Sequence, residues 1–377
     1  MQKPPPSRAR ARVLALVALT ALLVPVLAGT ASARTALADG RKIIDAQPKI
    51  VGGSQAAPHA WPAQVALLDN RISGSSAVKS QYCAGTVVNR SWILTAASCV
   101  YYEDGSRVAA STIDVWVGSQ SLTGGGTRLH LAEIRVLPGW SPKTFDHNLA
   151  MLRLASPTSA PVQAITAQGV AAPDGAAMVV TGWGTTAEGT PSTVTELRQA
   201  NVIKLPDSIC SDGYGAQFHP LSEICVSGHG QDTCSGDSGG AVVTRRGGAW
   251  VQVGIGRISD GCGKNPATYT RLEAFSNWVK QQINPNTTSV SAKLSATRVP
   301  VGATVNVSGV VKPARGTAQV KLQRFAGGTW SDRAAGNVDQ TSGAYKIAFR
   351  ASAAGIYTLR IRTSTGAAST TVYLRVG

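Results

Sequence analysis

The chain has 377 residues, enough for two or three domains, and is 43% hydrophobic but only 15% charged, with 40 glycines; that balance favours short strands and tight turns over long charged helices. The net charge of +16 sits at the ends: residues 1–49 hold 8 Lys/Arg against 2 Asp/Glu, residues 50–284 hold 16 against 16, and residues 285–377 hold 12 against 2. This distribution argues against a nucleic-acid-binding protein built around a central basic groove.

In chain order, the first element reads as an export signal. Lys3, Arg8, Arg10 and Arg12 precede an apolar run, Val13 to Ala28, and Ala31-Ser32-Ala33 is a small-residue cleavage site. A membrane span is the alternative, but the run of 16 residues is shorter than the ~20 a bilayer needs. No cysteine follows that would take a lipid anchor, and no other stretch is long and apolar enough to span. Residues 1–33 are expected to be a signal peptide, and the mature protein to be soluble and secreted, where disulfides persist. Residues 34–49 are short, basic and without periodicity, as in a pro-segment ending at Lys49.

Residues 50–284 hold all six cysteines, with short apolar runs between Gly-rich turns. Gln64–Leu68, Ser91–Thr95, Ile113–Val117, Asn148–Leu154, Ala177–Thr181 and Ala249–Gly254 read as strands. Glu273–Ile283 places Phe275, Trp278, Val279 and Ile283 on one helical face. A turn-rich linker follows at 285–288. Residues 289–377 have no cysteine and alternate with period two: Val305/Val307, Val320/Leu322, Tyr345/Ile347/Phe349, Tyr357/Leu359/Ile361 and Val372/Leu374/Val376. About seven short strands predict a β-sandwich of the immunoglobulin-like kind.

The chemistry is carried by Gly236-Asp237-Ser238-Gly239-Gly240. A serine between glycines on a tight turn exposes a nucleophile and aims N–H groups at an oxyanion. Alone it is also an ordinary turn, but four other motifs accompany it. Ile50-Val51-Gly52-Gly53 follows Lys49, and Leu94-Thr95-Ala96-Ala97-Ser98-Cys99 follows Trp92. Thr181-Gly182-Trp183-Gly184 lies mid-chain, and Pro266-Ala267-Thr268-Tyr269-Thr270-Arg271 precedes the helix. In this order and spacing, residues 50–284 resemble the chymotrypsin/trypsin family of secreted serine proteases. The resemblance implies an all-β fold of two six-stranded antiparallel barrels, with the site between them and the sandwich following. From spacing alone, six cysteines allow fifteen pairings. The resemblance implies Cys83–Cys99, Cys210–Cys225 and Cys234–Cys262.

The resemblance also exposes departures. The family needs a histidine base, an aspartate to orient it and the serine nucleophile. Ser238 is present, but Ser98 stands at the histidine position and Asn148 at the aspartate position. A serine hydroxyl is no base near neutral pH. Of His59, His130, His147, His219 and His229, His147 is the nearest in sequence to Asn148, yet strand alternation points it the other way. Asp146 falls on the same side as Asn148 in that reading.

Asp232, six residues before Ser238, matches the carboxylate that selects Arg or Lys in trypsins; a solvated turn acid is the plain alternative. The pocket wall departs from the family at Arg257, Ile258, Ser259 and Ala267, and one expectation is that Arg257 fills the cleft and pairs with Asp232. The resemblance further implies that cleavage after Lys49 frees Ile50 to pair with Asp237, ordering an oxyanion hole from the N–H groups of Gly236 and Ser238. The leading expectation is a protease homologue lacking normal catalysis, binding a protein or peptide in the cleft or an anionic cell-surface polymer through its basic tail. An active endopeptidase with an unrecognised base is the runner-up, and an adhesion protein working through its tail is the third reading. No cofactor, metal site or nucleic-acid partner is expected.

Overall fold

The computed structural model describes residues 41–43, 49–51, 53–72, 76–184, 194–228, 232–234, 237–257, 265–284, 288–314, 316–326 and 329–377. The expected signal peptide, most of the pro-segment, and Gly236, Ile258, Ser259 and Cys262 lie outside these residues. So do the side chains of Lys49, Ile50, Asp232 and Cys234.

Two antiparallel barrels form the main body. The N-terminal barrel closes through Gln64–Asp69, Gln81–Asn89, Trp92–Thr95, Ala150–Leu154, Thr127–Val136 and Ile113–Val117. The C-terminal barrel runs Ala177–Gly182, Ala241–Arg246, Ala249–Gly256, Ala267–Arg271, Glu223–Ser227 and Arg198–Lys204, which pairs back to the first strand.

Strand Gln64–Asp69 is buried at every position. Its alternation explains why: Val65 and Leu67 enter the N-terminal core, while Ala66 and Leu68 join Trp61, Val179, Trp183, Ala241 and Val243 in the seam between barrels. The seam brings the loops carrying the motifs together. The C-terminal barrel's own core is built on Met178, Val180, Val202, Ile224, Val242, Val253 and Tyr269.

The closing helix, Leu272–Ile283, follows the last strand of the C-terminal barrel directly. It buries Leu272, Phe275 and Val279 in the core of the N-terminal barrel, with Trp278 and Ile283 packed at the margin. Each fully buried side chain of this size contributes roughly 1.5–3 kcal/mol, so the helix straps one barrel to the other.

Beyond it lie two facing sheets. One joins Ser289–Val290, Thr304–Lys312, Lys293–Leu294 and Ala344–Arg350; the other joins Arg298–Val299, Val372–Val376, Gly355–Thr363, Gln319–Ala326 and Thr329–Asn337. Val305, Val307 and Ile347 of the first sheet and Val320, Leu322, Leu359, Ile361 and Leu374 of the second share one core. The predicted alternation is therefore the inward face. Thr329–Asn337 was not predicted; it is an edge strand that is largely exposed and so lacks an apolar period. The five-stranded sheet rests on the C-terminal barrel. Arg360 reaches the Gly169 carbonyl at 3.5 Å, and Asn277 of the closing helix donates to the Ala368 carbonyl.

Candidate active-site cleft

The Ser238-Gly239-Gly240 stretch of the motif is pinned to both barrels. Gly239 has φ +84°, and a Cβ there would lie 2.1 Å from Thr95 Oγ1 and 2.3 Å from the Ala84 carbonyl. Only glycine admits this approach. The Ala84 N–H donates to the Ser238 carbonyl at 2.9 Å, tying the serine to the N-terminal barrel. The Gly239 N–H donates to Gly256 at 2.9 Å, and the Gly256 N–H to Gly240 at 2.8 Å, tying it to the C-terminal barrel. Ser238 is 1% exposed.

The mid-chain motif serves the same turn. A Cβ on Gly182 would fall 1.8 Å from Asp237 Oδ1, and the Gly184 N–H donates to that oxygen at 3.0 Å. Trp183 between them donates its indole N–H to the Gln120 carbonyl at 2.8 Å. Thr181-Gly182-Trp183-Gly184 is thus the floor under Asp237.

Ser98 opens a short 3₁₀ turn, Ser98–Val100, and is fully buried, as is Asn148. The Ser98 N–H donates to Asn148 Oδ1 at 2.8 Å, and Asn148 Nδ2 lies 3.4 Å from Ser98 Oγ. Asn148 is held from behind by Thr270, whose hydroxyl donates to its carbonyl at 2.9 Å. The next residue, Cys99, is disulfide-bonded to Cys83 and its sulfur lies 3.4 Å from the Ser238 carbonyl. That sulfur carries no proton, so this is packing contact, and it places the Ser98 turn against the serine loop. A Ser–Asn pair can orient polar groups of a ligand, but neither member exchanges a proton near neutral pH.

Asp146 and His147 do not continue the strand, which begins at Ala150. His147 has φ +57°, a left-handed turn residue rather than one in alternation. Its ring packs on Phe275 at 5.1 Å and on Gly139. Asp146 accepts the His147 N–H at 2.8 Å and the Ser222 hydroxyl. Burial raises the Asp146 carboxyl, but hydrogen bonds from His147 and Ser222 and the charges of His147 and His219 outweigh it and hold the pKa at about 2. The expectation that Asp146 shares the side of Asn148 gives way to this turn, which aims it at Ser222.

Arg257 forms its ion pair with Glu223, a partner absent from the sequence reading, and donates to Thr268 Oγ1 at 3.3 Å and the Thr144 carbonyl at 3.4 Å. Its guanidinium also stacks 5.3 Å from the Phe145 ring. The cause is register: Gly256 pairs with Tyr269, so Arg257 emerges beside Thr268, which pairs with Cys225 two positions from Glu223. Glu223 is 1% exposed and also accepts the His219 N–H at 2.9 Å. Burial pushes its carboxyl above the usual range, against the pull of Arg257 and His219. The proposed pairing of Arg257 with Asp232 lies outside the described residues. Ala267 is buried in the core of the C-terminal barrel.

Lys49–Val51 pairs antiparallel with Asp232–Cys234, with Ile50 opposite Thr233. With the Lys49–Ile50 peptide bond intact, Ile50 has no free ammonium to offer Asp237. Disulfides Cys83–Cys99 and Cys210–Cys225 are formed, as the resemblance implied; Cys234–Cys262 lies outside the described residues. Among the described residues no group of three or more His, Cys, Asp or Glu is placed to hold a metal, and no helix is long and apolar enough to cross a membrane.

The trypsin family model matches residues 50–279. The chain belongs to the trypsin family. Its relatives in that family include trypsin alpha of Drosophila erecta, 32% identical over 243 residues (63% of this chain and 88% of the relative). Trypsin alpha of Drosophila melanogaster is 31% identical over 243 residues, with the same coverage of 63% and 88%. Trypsin beta of Drosophila erecta is 31% identical over 238 residues, covering 61% and 87%. The solved structure of the Vibrio cholerae VesB protease is similar in fold, with a TM-score of 0.53 and 22% identity, covering 87% of this chain and 99% of that one. Residues 50–279 are 230 of 377, so a likeness over 87% of the chain extends past the trypsin-family region.

Proposed function

We propose that this is a secreted trypsin-family protein whose cleft binds a polypeptide without normal turnover. The observation that carries the reading is the Ser98–Asn148 pair buried beside the serine loop: the Ser98 backbone N–H donates to Asn148 Oδ1 at 2.8 Å, and Asn148 Nδ2 donates to Ser98 Oγ at 3.4 Å. Two non-titrating side chains satisfy each other where acyl transfer requires a base and its orienter. Loss of a key triad member costs on the order of 10⁶ in turnover. The test is hydrolysis of Arg and Lys esters, with fluorophosphonate labelling of Ser238. Background hydrolysis and no labelling are expected; rapid stoichiometric labelling overturns the reading in favour of an active endopeptidase with another base.

A second activity is proposed for the C-terminal, immunoglobulin-like region of residues 289–377: binding of an anionic cell-wall polymer. The outer face of the four-stranded sheet supports it. Lys293 and Lys346 flank Ser308 on adjacent strands, and Arg350 and Lys312 extend the row. The region's two acids, Asp332 and Asp339, lie elsewhere: Asp332 pairs with Lys321 on the other sheet, and Asp339 caps the turn at Ser342. Among the arginines of the other sheet, Arg360 donates to Gln323 at 2.9 Å and reaches the barrel at Gly169, Arg362 pairs in register with Lys321, and Arg324 covers the Tyr357 ring at 3.8 Å. Sedimentation of the full chain with anionic wall polymer at rising salt tests this. Binding is expected to fall as the Debye length shrinks from ~8 to ~3 Å, and to be lost in a Lys293→Ala, Lys346→Ala, Arg350→Ala variant.

A further inference from the structure

Residues upstream of the expected cleavage point are built into the N-terminal barrel. Ile43 forms an antiparallel bridge with Tyr102 and is 2% exposed, within the same core as Val100 and Val108. The Lys42 carbonyl accepts the Glu103 N–H at 2.9 Å. The Arg41 guanidinium lies 4.3 Å from the centre of the Tyr102 ring, and Arg71 lies 4.9 Å from the same ring. Three independent contact types therefore converge on three residues: a buried aliphatic side chain, a strand-type hydrogen bond and a cation over an aromatic face. The first cysteine of the chain is Cys83, so no disulfide ties the segment down.

We propose that the groove along Tyr102 and Glu103 is a binding site for the chain's own pro-segment, and that it retains the segment after the chain is cut at Lys49. This rests on the reading of residues 34–49 as a pro-segment. The ligand class is an extended basic peptide carrying a β-branched aliphatic anchor, with Arg41 on Tyr102 and Ile43 in the core. The site leads directly from the Ser98–Val100 turn, so a retained segment braces the chain that carries Ser98. Activation cleavage then produces a two-piece protein held by packing, with a basic arm kept on this face.

The test uses the full chain with residues 44–48 replaced by the recognition sequence of a specific protease. After cutting, native size-exclusion chromatography and mass spectrometry follow the N-terminal fragment. It is expected to co-elute with the body in equal amounts and to separate in denaturant. In the same background Ile43→Asp is expected to release it, and Ile43→Ala to weaken retention by about thirtyfold or more. If Ile43→Asp does not fold, Ile43→Ala carries the comparison. Separation of the unsubstituted fragment under native conditions overturns the proposal, and so does full retention in the Ile43 variants. The engineered cut makes the result independent of natural cleavage, which N-terminal sequencing of the secreted chain reads separately.

Discussion

Replacing Arg257 by alanine removes the cation from a carboxylate that has no access to water. Glu223 is 1% exposed, and its remaining described partner is the His219 N–H at 2.9 Å. Breaking a buried pair by deleting one partner costs about 3–5 kcal/mol. Arg257 is 14% exposed at its side chain, and Glu223 relieves part of the cost by taking a proton, so we expect about 3 kcal/mol at pH 7. At roughly 2–4 °C per kcal/mol for a domain of this size, thermal unfolding shifts down by about 6–12 °C. Burial already raises the Glu223 carboxyl above its unfolded value. Without Arg257 it rises further, so the variant is most stable at acid pH and loses stability as pH rises through the folded pKa. Circular-dichroism melts from pH 4 to 8 measure this, with the Arg257→Ala, Glu223→Gln double variant as the control. The double variant is expected to recover at least half of the loss and to flatten the pH slope. A single variant that melts within about 2 °C of the parent at pH 7 refutes the reasoning.

Asp146→Asn removes a carboxylate held at about 2; because its folded pKa is depressed, it stabilises above pH 4 and that contribution fades as pH falls through 2, so the variant should lose at most about 2 kcal/mol at pH 7 in urea titrations and converge on the parent in acid. Gly182→Ala drives a Cβ into Asp237 Oδ1 and should cost about 1–3 kcal/mol in the same assay, whereas Gly175→Ala, with nothing near its Cβ but φ +79°, should cost about 1 kcal/mol from backbone strain alone. Ser98→His with Asn148→Asp should gain ester hydrolysis once the segment before Ile50 is cut, while each single replacement stays near background, because triad members act as a unit. A double variant that folds with its disulfides and remains inert sinks the assignment of those two positions.

Much of the body was legible because local pattern and fold agree. Ile113–Val117 sends every second residue, Ile113, Val115 and Val117, into the barrel core, and the closing helix carries a clear apolar face. Gln81–Asn89 escaped detection because eight of its nine positions are buried, which removes alternation, and because Gly85, required by the close approach of Ile93, interrupts the apolar run. At the site, the serine turn and its glycines were readable because close backbone approach demands glycine. The Arg257–Glu223 pair was not. Its members are 34 residues apart and meet only through the registers of three strands. The alternation from which the direction of His147 was inferred fails for a related reason: positive φ at Phe145 and His147 puts it in a turn.

The closing helix also sets an order of events during synthesis. Phe275 and Val279 complete a core whose other buried members, apart from Ile255 and the helix's own Leu272 and Ala274, all precede residue 155. The N-terminal barrel therefore leaves the ribosome with a gap in its side, which stays open until more than a hundred further residues have followed. Over that interval the chain exposes an apolar slot to any binder of unfolded segments. A chain arrested before Leu272 should be held by such binders or aggregate, even though every strand of its first barrel is already present.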